Sequence, residues 1–196
     1  MKVIGMCGGS GAGKGTVCSI FAELGIKSID TDKLYHDIIS RDSECTLELI
    51  SFFGDSVYAA PGIDRRALRD IVFSSEENLA QLNMITHKHI LAQVRSIINS
   101  ERCAEGIIID APLLFESGFD KECDTTVCVL ADEEIRIKRI IQRDGLTPDA
   151  ARRRIASQIQ NAELIKRCEY SIENNSTEEE LRENIAELYK KMFNKK

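Results

Sequence analysis

Lys14 closes a glycine-rich run, Gly8-Gly9-Ser10-Gly11-Ala12-Gly13-Lys14, which follows a short apolar stretch ending at Cys7. The spacing G-x-x-x-x-G-K suits one chemistry. Successive backbone N–H groups surround the phosphates of a nucleotide, glycines let the chain approach without a Cβ in the way, and the lysine ammonium reaches the terminal phosphates. In the usual pattern the next residue is Ser or Thr, whose hydroxyl holds Mg²⁺. Here that position is Gly15, and the hydroxyl arrives one residue later at Thr16. The loop reads as an ATP site built from Gly11, Ala12, Gly13, Lys14, Gly15 and Thr16, with Thr16 the candidate Mg²⁺ ligand beside water and nucleotide oxygens.

Two further groups of residues bear on where a phosphate would go. Asp30 and Asp32 close the segment Ile29-Asp30-Thr31-Asp32. At the carboxyl edge of an open sheet a carboxylate can align and deprotonate an acceptor hydroxyl, and it can also cap the next helix. If the chain stays extended there, both acids share one face. The second group is a run of cations. From Arg136 to Arg154 there are seven basic residues (Arg136, Lys138, Arg139, Arg143, Arg152, Arg153, Arg154) and two acidic ones, Asp144 and Asp149. That local excess lies inside a chain of net charge −6. A basic helical lid that brings guanidinium groups onto transferring phosphates accounts for it, whereas any one of these side chains could equally be a solvated charge.

Elements must position these groups. Lys2–Cys7, Ile26–Asp30, Gly106–Asp110 and Thr125–Leu130 read as short strands rich in branched residues, with Glu169–Glu173 a weaker one. Helical stretches separate them, Gly15–Leu24 first, which gives an α/β fold: a P-loop NTPase-type parallel sheet with helices on both faces. Between Asp32 and Arg102 no convincing strand occurs; Asp64–Phe73 and Glu77–Asn99 carry helical periodicity, the latter through Leu82, Ile90, Leu91, Val94 and Ile98. Asp132–Gln158 reads as two helices joined at Gly145-Leu146-Thr147-Pro148, with Thr147 the N-cap and Pro148 at the first helical position. The last helix starts at a capping box, Ser176-Thr177-Glu178-Glu179, and aligns Leu181, Ile185, Leu188 and Met192. The expected organisation is one P-loop domain: a core over about 1–31, 103–131 and 160–196, a helical insertion over about 32–102 and a lid over about 132–159.

Composition excludes several classes. A net charge of −6 argues against a protein that lives on nucleic acid, where binding draws on phosphate neutralisation. No apolar stretch approaches a membrane span, and the N-terminal apolar run is too short for a signal peptide. Seven cysteines without a C-x-x-C pair fit a reducing cytoplasm rather than a disulfide or zinc framework. His87 and His89 lie two apart, a spacing that does not share a helix face and does not make a metal pair. The chain lacks an N/T-K-x-D segment that would read a guanine base, and GIIIDAP offers Asp110 without the following Glu of a motor or transporter ATPase.

In order along the chain, the motifs resemble those of the dephospho-CoA kinase family. Besides the phosphate loop these are Ile29-Asp30-Thr31-Asp32-Lys33-Leu34-Tyr35-His36, Ile63-Asp64-Arg65-Arg66-Ala67-Leu68 with Val72-Phe73, and Leu82-Asn83-Met84-Ile85-Thr86-His87. Ala111-Pro112-Leu113-Leu114-Phe115-Glu116, Arg139 with Gln142-Arg143-Asp144 and Ala151 to Gln158, and Ile172-Glu173-Asn174-Asn175 complete the set. The resemblance implies transfer of the ATP γ-phosphate to the 3′-hydroxyl of dephospho-CoA, with Mg²⁺, as the last step of coenzyme A biosynthesis. It implies that Asp32, Lys14 and Arg139 act on the reacting groups and that Arg143 and Asn175 lie near the ATP. It makes His36, Arg65, Arg66 and His87 the candidates for acceptor contacts. Two departures stand out: Gly15 in place of Ser or Thr, and Lys88 where the family usually has Pro, which unsettles the helix start at that point. Two other readings keep the same loop: another P-loop small-molecule kinase, for a nucleoside monophosphate or a sugar acid, and a nucleotide sensor without catalysis. The latter would not need Asp32. The oligomeric state is open at this level.

Overall fold

The computed structural model describes residues 1–193. The chain runs β1 (Lys2–Cys7), α1 (Lys14–Glu23), β2 (Lys27–Asp30), α2 (Thr31–Ile39), α3 (Glu44–Phe53), β3 (Tyr58–Ala59), β4 (Gly62–Ile63), α4 (Arg65–Val72) and α5 (Glu76–Ser100). It continues through β5 (Gly106–Asp110), β6 (Thr125–Leu130), α6 (Glu133–Asp144), α7 (Pro148–Ala156), α8 (Asn161–Arg167), β7 (Tyr170–Glu173) and α9 (Glu178–Phe193). Five strands form one sheet in the order β2-β5-β1-β6-β7, and β1 pairs in parallel with both β5 and β6. Ile107, Ile108 and Ile109 are all buried, three residues in a row. Side chains of a strand alternate between faces, so such a run requires both faces to be covered, and this sheet is flanked by helices.

The chain divides into two compact units, Met1–Ser28 with the segment from Cys103 onward, and Ile29–Arg102. In the first, Ile4, Met6, Ile108, Val127 and Val129 of the strands meet Val17 and Phe21 of α1 and Leu181, Ile185, Leu188 and Met192 of α9 in one core. Each such side chain removed from water contributes roughly 1.5–3 kcal/mol. The α6–α7 hairpin has a small core of its own: Ile137, Ile140, Ala151 and Ile155, with Ile141 and Leu146 against them. Gly145 turns the hairpin with φ 65°, and the Thr147 hydroxyl accepts a hydrogen bond from the Ala150 N–H at 3.3 Å, as the sequence anticipates for that junction.

In the second unit, Ser43, Asp64 and Ser75 cap α3, α4 and α5 through side-chain oxygens. α5 runs unbroken through Lys88, so no helix starts there; Lys88 instead pairs with Glu48 of α3 at 2.7 Å. The buried stripe of α5 is Ile85, Thr86, Ile90 and Val94, while Leu82, Leu91 and Ile98 of the expected stripe are half-buried. The segment expected to lack strands contains one short antiparallel pair, β3 with β4.

Three boundaries differ from the sequence reading for local reasons. Ile26 is still engaged with the end of α1, its N–H bonded to the Phe21 carbonyl at 3.1 Å, so β2 begins at Lys27. Asp30 ends β2 and Thr31 begins α2, which means Asp30 and Asp32 do not share the face of a strand. At α9 the hydroxyl that accepts from the helix is that of Thr177, from the Glu180 N–H at 3.3 Å, one residue beyond the expected Ser176 cap. Among the described residues, no helix is long and apolar enough to cross a membrane.

Candidate active site

The phosphate loop is shaped from outside by donors that occupy its carbonyls. Arg136 of α6 is 3% exposed; its Nε donates to the Ser10 carbonyl at 2.9 Å and its Nη2 to Gln158 Oε1 at 2.9 Å. The same Gln158 oxygen accepts from the Ser10 N–H at 2.9 Å. Asn174, just past β7 and 6% exposed, donates to the Ala12 carbonyl at 2.8 Å. Arg139 reaches the Gly11 and Ala12 carbonyls at 3.3 and 3.4 Å and Asn174 Oδ1 at 3.3 Å. With these carbonyls held, the loop conformation is set by its neighbours as much as by its glycines. Burial lowers the Arg136 pKa, yet a guanidinium stays charged throughout the physiological range.

Glycine is required at particular places. Gly11 and Gly13 have φ of 78° and 94°, and a Cβ on Gly13 would collide with the Asn174 amide, one on Gly9 with the Arg136 guanidinium. Gly13 is the residue before α1, and it supplies no side-chain cap; the first turn of α1 carries no acidic residue either. α2, by contrast, is capped by Asp30, whose side chain accepts from the Lys33 N–H at 2.9 Å. The uncapped start of α1 offers its N–H groups and its partial positive charge to an anion. Lys14 Nζ lies 3.3 Å from the Gly8 carbonyl and 3.8 Å from Asp110 Oδ1, at the end of β5. A Cβ at Gly15 would meet nothing within 4 Å, so the missing Ser or Thr is not a steric requirement.

The remaining candidates fall at different places. Asp32 is exposed on the first turn of α2, where Asp30 has already taken the cap. Arg143 is exposed and pairs with Asp144 at 2.7 Å, and Arg154 pairs with the same carboxylate. Arg152 pairs with Glu133 and Glu134, acids that lie just outside the basic run. Much of the expected positive charge is thus met by neighbours, and Arg136 and Arg139 are the two that turn to the loop. Asn175 accepts from the Asp132 N–H at 2.8 Å at the start of α6.

In the second unit, Arg65 and Arg66 line a cavity of about 430 Å³ with Tyr35, Arg69, Val72 and Phe73. Burial raises the Tyr35 phenol pKa and lowers that of His87. His36 packs its ring 5.5 Å from that of Tyr35, and neither His36 nor His87 lines the cavity. Sequence reasoning had no place for Arg136 as a loop donor, for Gln158 or for Asn174 in that role. The available signals were the place of Gln158 and Asn174 inside matched motifs and of Arg136 in the basic run.

A family model described as dephospho-CoA kinase matches residues 2–180. The chain belongs to the dephospho-CoA kinase family. A dephospho-CoA kinase of Fusobacterium nucleatum is 40% identical over 193 residues, covering 98% of this chain and 95% of the relative. The solved structure of a dephospho-CoA kinase from Campylobacter jejuni superposes with a TM-score of 0.70 at 30% identity, over 98% of this chain and 97% of the other. A shikimate kinase from Acinetobacter baumannii shares the fold, with a TM-score of 0.58 at 16% identity over 99% and 94% of the two chains.

Proposed function

We propose that the protein transfers the γ-phosphoryl group of ATP to the ribose 3′-hydroxyl of dephospho-CoA, giving coenzyme A and ADP. Family membership supplies the acceptor, and one observation carries the donor side: α1 begins without a side-chain cap behind a loop whose outer carbonyls are held by Arg136, Arg139 and Asn174. Phosphoryl transfer of this kind depends on positioning and on neutralising charge. The N–H groups of Gly11 to Thr16 would hold the β- and γ-phosphates, and Lys14 would follow the charge that develops between them. Arg139 would turn from the loop carbonyls to the transferring group. Arg143 and Asn175 would border the nucleotide. Asp32 would align the acceptor hydroxyl and take its proton as the new P–O bond forms. Arg65 and Arg66, on a cavity that joins cationic and apolar walls, suit an acceptor that combines a diphosphate with an apolar arm, and His36 and His87 are the further contacts on the same unit.

Mg²⁺ prefers oxygen ligands and keeps several waters. The Thr16 hydroxyl and the Asp110 carboxylate, 3.8 Å from Lys14, are such donors and would hold it together with phosphate oxygens and water. When bound it neutralises charge on the phosphates. We place the reaction in the cytoplasm, in keeping with cysteines that form no disulfide among the described residues.

A panel of acceptors with ATP tests the reading: dephospho-CoA, AMP, UMP and gluconate. Phosphorylation of dephospho-CoA alone is the expected result. Preferential turnover of AMP, UMP or gluconate would move the protein to another small-molecule kinase class.

A further inference from the structure

The end of β1 carries a group of side chains that phosphoryl transfer does not use. Cys7 and Cys128 lie in register across the parallel pair β1 and β6. Cys168, at the C-terminal end of α8, places its Sγ 3.5 Å from Cys7 Sγ. Cys128 Sγ donates to the Tyr170 carbonyl at 3.6 Å and also approaches Cys168. Three thiols therefore meet at the root of the phosphate loop, one residue before Gly8. Their environments differ: Cys7 and Cys128 are 2% and 0% exposed, whereas Cys168 is partly open. The neighbouring Cys128, then Cys7 and Thr126, hold the Cys168 thiol pKa well below the ordinary range, while those of Cys7 and Cys128 are raised. The most accessible of the three is also the one whose thiolate form its neighbours favour.

We propose that Cys7 and Cys168 are a peroxide-responsive thiol pair whose disulfide switches the kinase off. In the first step the Cys168 thiolate attacks one oxygen of hydrogen peroxide. The O–O bond breaks, hydroxide leaves, and Cys168 becomes a sulfenic acid. The Cys7 sulfur then attacks the Cys168 sulfur; the S–S bond forms, the S–O bond breaks, and the departing hydroxide carries off the Cys7 proton as water. Two thiols lose two electrons in all, and one peroxide becomes two waters.

Geometry gives the switch its effect. A disulfide brings the sulfurs to about 2.05 Å, so the pair must close by roughly 1.5 Å. β1 is fixed by pairing on both sides, which leaves the end of α8 to move. A cavity of about 160 Å³ adjoins Cys7 and is lined in part by Gly8, Gly9, Gln158 and Leu164. Leu164 belongs to α8, and Gln158 holds Ser10 and Arg136. Drawing α8 toward β1 therefore disturbs the very contacts that set the loop. A misplacement of about 1 Å at a catalytic site can cost on the order of 100-fold in rate.

The effect on turnover rests on the kinase reading above; the disulfide itself does not. The full chain is treated with hydrogen peroxide, digested without reductant and mapped by mass spectrometry, and ATP-dependent turnover is measured before and after dithiothreitol. A peptide containing Cys7 joined to one containing Cys168 is expected, with turnover down on the order of 100-fold and restored by reductant. Cys168→Ser should keep its activity through the same treatment, whereas Cys103→Ser, which removes the exposed thiol, should be inactivated like the wild type. Oxidation of Cys103 with Cys7 and Cys168 still reduced would overturn the proposal. So would a Cys128–Cys168 linkage, a Cys7–Cys168 linkage without loss of turnover, or equal inactivation of Cys168→Ser. Because the peptide map needs no turnover, failure of the kinase assignment would leave the linkage result readable.

Discussion

Asp30 and Asp32 show how one residue's role depends on where an element ends. Either acid can cap a helix, and only the boundary between β2 and α2 decides between them. Asp30 accepts from the Lys33 N–H, so the cap is filled and Asp32 is left exposed in the first turn. Asp32→Asn should therefore fold and bind ATP as before. Loss of a general base typically costs about 10²–10⁴-fold in rate, or roughly 3–5 kcal/mol of barrier. Turnover of dephospho-CoA by Asp32→Asn at a near-normal rate would remove the base role and leave the kinase assignment intact. Gly15 is the complementary case. It lies in the first turn of α1, its added Cβ would meet open space, and glycine lowers helix stability. Gly15→Ser should raise stability by about 0.5 kcal/mol in denaturant titration and retain turnover. A destabilised or inactive Gly15→Ser protein would mean that the glycine serves the nucleotide directly.

Elements were legible where the signal is local. The phosphate loop is written in glycine spacing, the α6–α7 junction in Gly145, Thr147 and Pro148, and the buried strands in runs such as Gly106–Asp110. What the sequence left unread joins distant positions. Arg136 meets Ser10 across 126 residues, Gln158 meets Ser10 across 148, and Asn174 meets Ala12 across 162. Beyond its place in a matched motif, nothing in the sequence around Asn174 distinguishes a loop donor from a surface amide. The charge of the basic run likewise depends on residues outside it, since the acids that answer Arg152 lie just upstream, at Glu133 and Glu134. Inside the hairpin, Arg143 and then Arg154 hold the Asp144 carboxyl down, from 3.8 to about 2. A carboxylate lowered in the folded state stabilises above its unfolded value and loses that contribution as the pH falls through the folded one. The Tm advantage of wild type over Asp144→Asn should accordingly be present at about pH 5 and fade between about pH 4 and pH 2. The advantage will be small, since the group is exposed. A difference that persists unchanged at pH 2 would show that Asp144 acts by packing or neutral hydrogen bonding instead.

At the scale of the whole molecule, the two units divide the proposed work. The loop, Lys14, Arg136, Arg139 and Asn174 belong to the unit that contains β1, whereas Asp32, Arg65 and Arg66 belong to the unit spanning Ile29–Arg102. A long helical stretch over about 32–102, where the strand-and-helix alternation lapses, was readable in the sequence. The cavity at Arg65 and Arg66 was not, because helical periodicity reports which side is buried and not where two helices leave a gap. Ligands should reveal the division in amide exchange, since a bound segment opens less often. ATP alone should slow exchange in the phosphate loop, the start of α1 and α6. Dephospho-CoA alone should slow α4 and the first half of α5, the segments that supply Arg65, Arg66, Leu79 and Leu82 to the cavity. With an ATP analogue that cannot transfer its phosphate, both ligands together should add further protection over α6 and α7 if that hairpin is the lid. Each part can fail separately. An α6–α7 hairpin that exchanges equally with and without ligands is a fixed structural element. Protection by dephospho-CoA that bypasses α4 and α5 would displace the acceptor from the Arg65–Arg66 cavity, whatever the loop does with ATP.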